Sequence, residues 1–127
     1  MSNASEGKIL IIEDNEDALE AISDLLKMDG FSTVTATNGA LGLCKMKAEE
    51  HISMVLLDLW MPIMDGWQFL RERKRDSRLA KIPVVVLSAL PTKSIEGAEA
   101  VLTKPVNVDL LLQTLRRYVA PEPERGA

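Results

Sequence analysis

The chain alternates between short runs with no polar interruption and longer stretches whose apolar residues recur at helical spacing. Lys8 to Ile12 (KILII), Met54 to Leu57 (MVLL) and Ile82 to Leu87 (IPVVVL) are the short runs. A strand in the middle of a parallel sheet is buried on both faces, so it needs apolar side chains at odd and even positions alike, and these three segments have them. Phe31 to Ala36 instead alternates and is β-branched, which predicts a strand nearer an edge. Val101 to Thr103 predicts a brief last strand.

Between these runs the period changes. Asn15 is a good N-cap, and Ala18, Leu19, Ile22, Leu25 and Leu26 follow at helical spacing until Gly30 stops the helix. Asn38-Gly39 opens a second helix, with Leu41, Cys44 and Ala48 along one face, ending before the polar segment Glu49 to His51. A third, from about Asp65 to Arg75, is expected to bury Trp67 and Leu70 and to expose its basic cluster Arg71 to Arg75. Asp76 to Lys81 reads as a polar connection, and Pro91 to Ala100 is patterned for a short helix at most. Asn107 caps the final helix, where Val108, Leu111, Leu112, Leu115 and Val119 trace one apolar stripe. Five strands alternating with four clear helical patterns give a βαβ series, and right-handed crossovers make this a doubly wound five-stranded parallel sheet with helices on both faces.

Composition narrows the classes. At 127 residues the chain suits one domain, over residues 7–120, with 1–6 as a flexible N-terminus and 121–127 as a fraying tail. An apolar fraction of 46% and a charged fraction of 27% are those of a soluble globular protein. The net charge of -4 gives no sign of direct nucleic-acid binding, which usually shows as a clustered basic excess, and suits recruitment of a cation better. Cys44, the only cysteine, cannot pair within the chain and is expected to be a small buried hydrophobe in a reducing compartment. No apolar run reaches membrane-span length, and MSNASEGK lacks the apolar stretch of a signal peptide, so a cytoplasmic location is expected. The lone histidine, His51, lies in a polar loop and is expected to be solvated.

Four strand ends carry the chemistry: Glu13 and Asp14, then Asp58, then Ser88, then Lys104. In a doubly wound sheet these ends share one edge, so residues distant in sequence converge there. Three carboxylates in one place raise each other's pKa unless a cation lies among them, and oxygen ligands suit magnesium. A bound cation of that kind holds phosphate oxygens and neutralises charge as a phosphoryl group transfers. A lysine adds a point positive charge, a hydroxyl a hydrogen bond, and an aspartate a nucleophile.

The set IIED at Ile11 to Asp14, DLWMPIMDG at Asp58 to Gly66, SA at Ser88-Ala89 and KP at Lys104-Pro105 resembles the receiver domain of two-component response regulators, the CheY-like fold. The likeness spans roughly residues 7 to 120, and its four motifs follow the family's order on the expected elements. It implies that Asp58 accepts a phosphoryl group from a histidine kinase or histidine phosphotransfer protein. It implies too that Asp14, Asp58 and the backbone carbonyl of Trp60 ligate Mg2+ directly, with Glu13 reaching the ion mainly through water. Lys104 would pair with the phosphoryl group, Ser88 would turn toward it, Ala89 would leave it room, and Lys104-Pro105 would be cis. An output domain or target protein would read the signal.

Two departures stand beside these matches. The family usually has an aromatic three residues before the lysine, where this chain has Val101. The segment from Ser88 to Lys104 is shorter than usual by about a turn and a half of helix, which leaves the fourth helix of the family short or irregular. Both fall on the switch face, which keeps open a receiver-like protein-binding module that signals without phosphorylation. A phosphohydrolase with an aspartyl-phosphate intermediate commonly carries a second aspartate two residues after its nucleophile, and Trp60 at that position argues against one.

Overall fold

The structure, a computed structural model, describes residues 7–59, 63–89 and 95–119. In chain order the elements are β1 (Lys8–Ile12), α1 (Glu16–Met28), β2 (Ser32–Ala36), α2 (Gly39–Ala48), β3 (Ile52–Asp58), α3 (Gly66–Lys74), β4 (Val84–Ser88), β5 (Ala100–Thr103) and α4 (Val108–Arg116). The five strands form one all-parallel sheet in the order β2-β1-β3-β4-β5, so β3 lies at its centre and β2 at an edge, as its alternating pattern predicts.

The apolar runs are continuous because the sheet is covered twice. Leu10, Ile12, Val55, Leu57, Val84 and Val86 pack on the side of α2 and α3 with Leu43, Met46, Phe69 and Leu70. The alternate residues Ile9, Ile11, Met54, Leu56, Val85 and Leu87 pack on the other side with Leu19, Leu26, Leu111 and Leu115 of α1 and α4.

The caps form where the sequence places them. Asn15, Asn38 and Asn107 accept from the backbone amides of Ala18, Leu41 and Leu110. At α3, Asp65 accepts from the Gln68 amide while the Gln68 side chain accepts from the Asp65 amide, a complete capping box. Gly30, with φ of 95°, takes the left-handed turn after α1.

Four expectations fail. The face of α2 that packs is Gly39, Gly42, Leu43 and Met46, whereas Leu41, Cys44 and Ala48 are exposed. The helix approaches β1 so closely that a Cβ on Gly42 would lie 2.4 Å from the Ile12 side chain. The face with glycine at that contact can come that near, so the stripe without one turns outward. The basic cluster of α3 is not uniformly exposed, because Arg73 is buried. Nor is Asp76 to Lys81 wholly polar, since Leu79 opens a single 3-10 turn and is fully buried. Strand β4 also runs two residues later than its apolar pattern begins and takes in Ser88.

Between β4 and β5, residues 95–99 contain no helix, in line with the truncation expected there. The rest of the Pro91 to Ala100 segment that falls within 90–94, and the tail from 121 onward, lie outside the described residues. Among the described residues no helix is long and apolar enough to cross a membrane.

Candidate functional site

Register brings the chemistry-bearing strand ends together. Ile12 of β1 pairs with Leu57 of β3, so Glu13 and Asp58 are the next residues along neighbouring strands. Asp58 is itself the last residue of β3 and lies opposite Leu87 of β4, one residue before Ser88. Ser88 pairs with Thr103 of β5, and the Lys104 amide donates to the Ser88 carbonyl at 2.7 Å, which fixes where the lysine leaves the sheet. The Lys104-Pro105 bond is cis, as the motif predicts.

Carboxylate oxygens of Glu13, Asp14 and Asp58 all lie within 4.8 Å of one another. Glu13 and Asp58 are buried and Asp14 is exposed, so the trio has a closed floor and an open mouth. Lys104 Nζ donates to Glu13 Oε1 at 3.3 Å and to Asp58 Oδ1 at 3.4 Å. Both distances are long for charge-assisted bonds, so the ammonium straddles two acids rather than docking on either. The Asn15 amide donates to Glu13 Oε2 at 3.2 Å and holds that carboxylate from the other side.

One ammonium does not balance three carboxylates. Burial pushes the Glu13 carboxyl above its ordinary range, the Asn15 amide opposes this, and the neighbouring Asp58 charge adds to the rise. Burial acts to lower the pKa of Lys104, but the Asp58 and Glu13 carboxylates outweigh it and hold the ammonium above its usual value. Hard oxygen donors with an unbalanced negative charge and access from solvent fit a small divalent cation such as magnesium.

A raised carboxyl pKa makes a testable demand on stability. Protonated Glu13 contributes stability at low pH, and that contribution is lost as pH rises through its folded-state pKa, above the usual glutamate range. Metal-free protein at neutral pH therefore carries a cost that Glu13→Gln removes. The variant should melt a few degrees higher than the unmodified chain in chelator at pH 7, and magnesium should narrow or reverse the order. Equal midpoints in chelator at pH 5 and pH 7 for both proteins would exclude this cost.

Residues 9–116 match the response regulator receiver domain family. The chain belongs to that family. This receiver domain is 29% identical over 117 residues to the polar-differentiation response regulator DivK of Brucella ovis, with 87% of this chain and 94% of DivK covered. The chemotaxis protein CheY4 of Vibrio cholerae shares its fold with a TM-score of 0.79 at 27% identity, over 89% of this chain and 98% of that one. The receiver domain of the sensor histidine kinase PA1611 from Pseudomonas aeruginosa PAO1, solved with a magnesium ion coordinated in its active site cleft, matches in fold with a TM-score of 0.80 at 22% identity, over 88% of this chain and 96% of that one.

Around the pocket of this receiver domain the other singled-out residues fall as follows. Ser88 is buried, and Ala89 beside it is exposed. Val101 is partly buried in β5 and packs on the α2 and α3 side of the sheet. Trp60 and Met61 lie outside the described residues, whereas Met64 and Trp67 are partly buried against the core. His51 is exposed, as expected.

Arg73 is the residue that sequence reasoning missed. The residue is 4% exposed, and its guanidinium donates to the carbonyls of Ala80 at 3.1 Å, Ile82 at 2.8 Å and Gly97 at 3.3 Å. It therefore ties α3 both to the entrance of β4 and to the short connection that leads to β5. A signal was present: Gly66, Phe69, Leu70 and Arg73 recur at helical spacing, which puts the arginine on the inner face of α3.

Proposed function

We propose that this receiver domain is a phosphoacceptor, in which Asp58 takes a phosphoryl group from the phosphohistidine of a histidine kinase or phosphotransfer protein. The observation that carries the reading is the meeting of Glu13, Asp14 and Asp58 within 4.8 Å of one another with Lys104 between two of them. An Asp58 carboxylate oxygen attacks phosphorus as the bond from phosphorus to the imidazole nitrogen breaks; the imidazole leaves with the electron pair and takes up a proton, and an acyl phosphate forms. Water later cleaves that phosphate and restores the carboxylate. The chain thus catalyses only its own phosphorylation and dephosphorylation.

Asp14, Asp58 and the main-chain carbonyl of Trp60 are the residues we assign to direct magnesium ligation, with Glu13 acting through water. Bound magnesium supplies neutralisation of charge on the transferring oxygens. Lys104 pairs with the phosphoryl oxygens, and release of its 3.4 Å contact with Asp58 Oδ1 frees that oxygen to attack. Ser88, one residue beyond the partner of Asp58 on β4, reports the new group by hydrogen bonding to it. We take residues 7–120 as the unit that carries this activity and the cytoplasm as its location.

Incubation with acetyl phosphate and magnesium should add one phosphoryl group, seen in the intact mass and lost on mild alkaline treatment. Chelator should prevent the addition. Absence of labelling with magnesium present would remove the phosphoacceptor reading and leave the binding module.

A further inference from the structure

Strand β2 closes one side of the sheet with an edge that lacks the usual protection. Among the described residues β1 is its only neighbour, and the two pair without a break from Ser32 to Ala36. Edge strands are commonly blunted by a lysine, a proline or a bulge, and STVTA has none of the three. The Ala36 carbonyl accepts from the Glu13 amide, so the backbone of Ala36, and by alternation that of Val34 and Ser32, faces β1. The amides and carbonyls of Thr33 and Thr35 therefore point away from the sheet.

One flank of that edge is acidic. Helix α1 packs back along the strands as a crossover helix does, and the hydroxyls of Ser23 and Thr33, 2.8 Å apart, lash it to β2. Beside this contact runs a groove of about 380 Å³ whose lining includes Glu16, Asp17, Glu20, Ser23, Asp24 and Thr35, with Lys27 as its one cation. Among the described residues none of the four carboxylates has an ion-pair partner. The helix dipole favours Glu16 and Asp17 in the first turn, but Glu20 and Asp24 lie beyond its reach. Like charges four residues apart, as at Glu16, Glu20 and Asp24, weaken a helix. Nothing described within the chain offsets that cost.

We propose that the β2 edge and this groove take up an extended basic segment of another protein, which adds a strand beside β2 through the outward backbone groups of Thr33 and Thr35. The periods match. Carboxylates four residues apart on α1 recur about every 6 Å along its axis, and alternate side chains of an added strand recur roughly every 6.6 Å. Lysines or arginines at every second position of the segment thus each meet an acid, while the intervening side chains lie on the other face of the sheet, beside Val34. A second copy of this chain is the wrong occupant: antiparallel pairing of two β2 edges sets the two rows of α1 carboxylates against each other. The surface is separated from Asp58 by β1, and its use requires no phosphoryl group.

The probe is a short synthetic peptide in which lysine alternates with valine. Two controls carry the same charge, an isomer with the lysines grouped at one end and a form N-methylated at the amides that would face β2. The alternating peptide should bind at low salt and more weakly as salt rises, and both controls should bind at least tenfold more weakly, the loss expected when two or so backbone hydrogen bonds are not made. In its complex the amides of Thr33 and Thr35 should exchange more slowly with solvent than in the free chain. Glu20→Gln/Asp24→Asn, with two fewer like charges on the helix, should melt no lower than the unmodified chain and bind the alternating peptide roughly tenfold more weakly. Equal binding of all three peptides reduces the effect to charge attraction and overturns the proposal, as does unchanged exchange at Thr33 and Thr35. A concentration-dependent dimer of the chain alone that protects these two amides gives the edge to a second copy and overturns it as well.

Discussion

Asn in place of Asp58 should reduce labelling by acetyl phosphate to background while raising the stability of the metal-free protein. An uncharged amide oxygen is a poor nucleophile. Glu13 is buried and held on one oxygen by Lys104 and on the other by the Asn15 amide. Asp14, within 4.8 Å of Asp58 at the carboxylates, is exposed at the mouth of the pocket, whereas Lys104 pairs with Glu13 and Asp58. Removing one carboxylate from the trio also lessens its repulsion, so the variant should melt higher than the unmodified chain in chelator and gain less from magnesium. The paired measurements, intact mass and melting temperature, separate loss of the nucleophile from loss of the fold. Labelling of the variant at the unmodified rate would transfer the acceptor role to another side chain.

Met in place of Arg73 should cost about 3 kcal/mol, on the basis of roughly 1 kcal/mol for each of the three carbonyls left without their donor. Methionine retains much of the apolar stem, so the loss reads mainly the hydrogen bonds and not a cavity. For a domain of this size the melting temperature should fall by roughly 10 °C. Burial lowers the guanidinium pKa from its ordinary value and the Glu99 charge opposes this, but the group stays a cation at any working pH. The effect should be local as well as global. Glu99, whose amide donates to Val84 at 2.7 Å, and Ala98, whose amide donates to Ile95, sit beside the Gly97 carbonyl that Arg73 holds. Their amides should exchange faster with solvent in the variant than those of β1. A melting temperature within a degree or two of the original would show that water replaces the guanidinium at little cost.

These residues also mark what is legible in a sequence. Strands β1, β3 and β4 show themselves because burial on both faces demands an unbroken apolar run, and each has one: Ile9 to Ile12, Met54 to Leu57 and Val84 to Leu87. Helix starts show themselves because an asparagine or aspartate side chain and the amide it caps are three residues apart. Acids at the ends of β1 and β3 are visible on the same grounds, and the parallel topology that unites them follows from the alternation of elements.

The outward turn of Leu41, Cys44 and Ala48 was not visible in this way. Either stripe of α2 has helical spacing, and the choice depends on the close fit of Gly42 against Ile12, thirty residues away in the chain. Arg73 is a mixed case. Its spacing from Gly66, Phe69 and Leu70 already puts it on the inner face of α3, but the carbonyls of Ala80, Ile82 and Gly97 that receive its guanidinium come together only in the fold.

The sequence by itself determined the order of strands and helices, the caps and the acids and lysine at the strand ends, because each depends on spacing along a few residues. The tertiary structure alone decided which helix face meets the sheet and that Lys104 straddles Glu13 and Asp58. Those features arise where segments far apart in the chain press on one another, and no local pattern records that pressure.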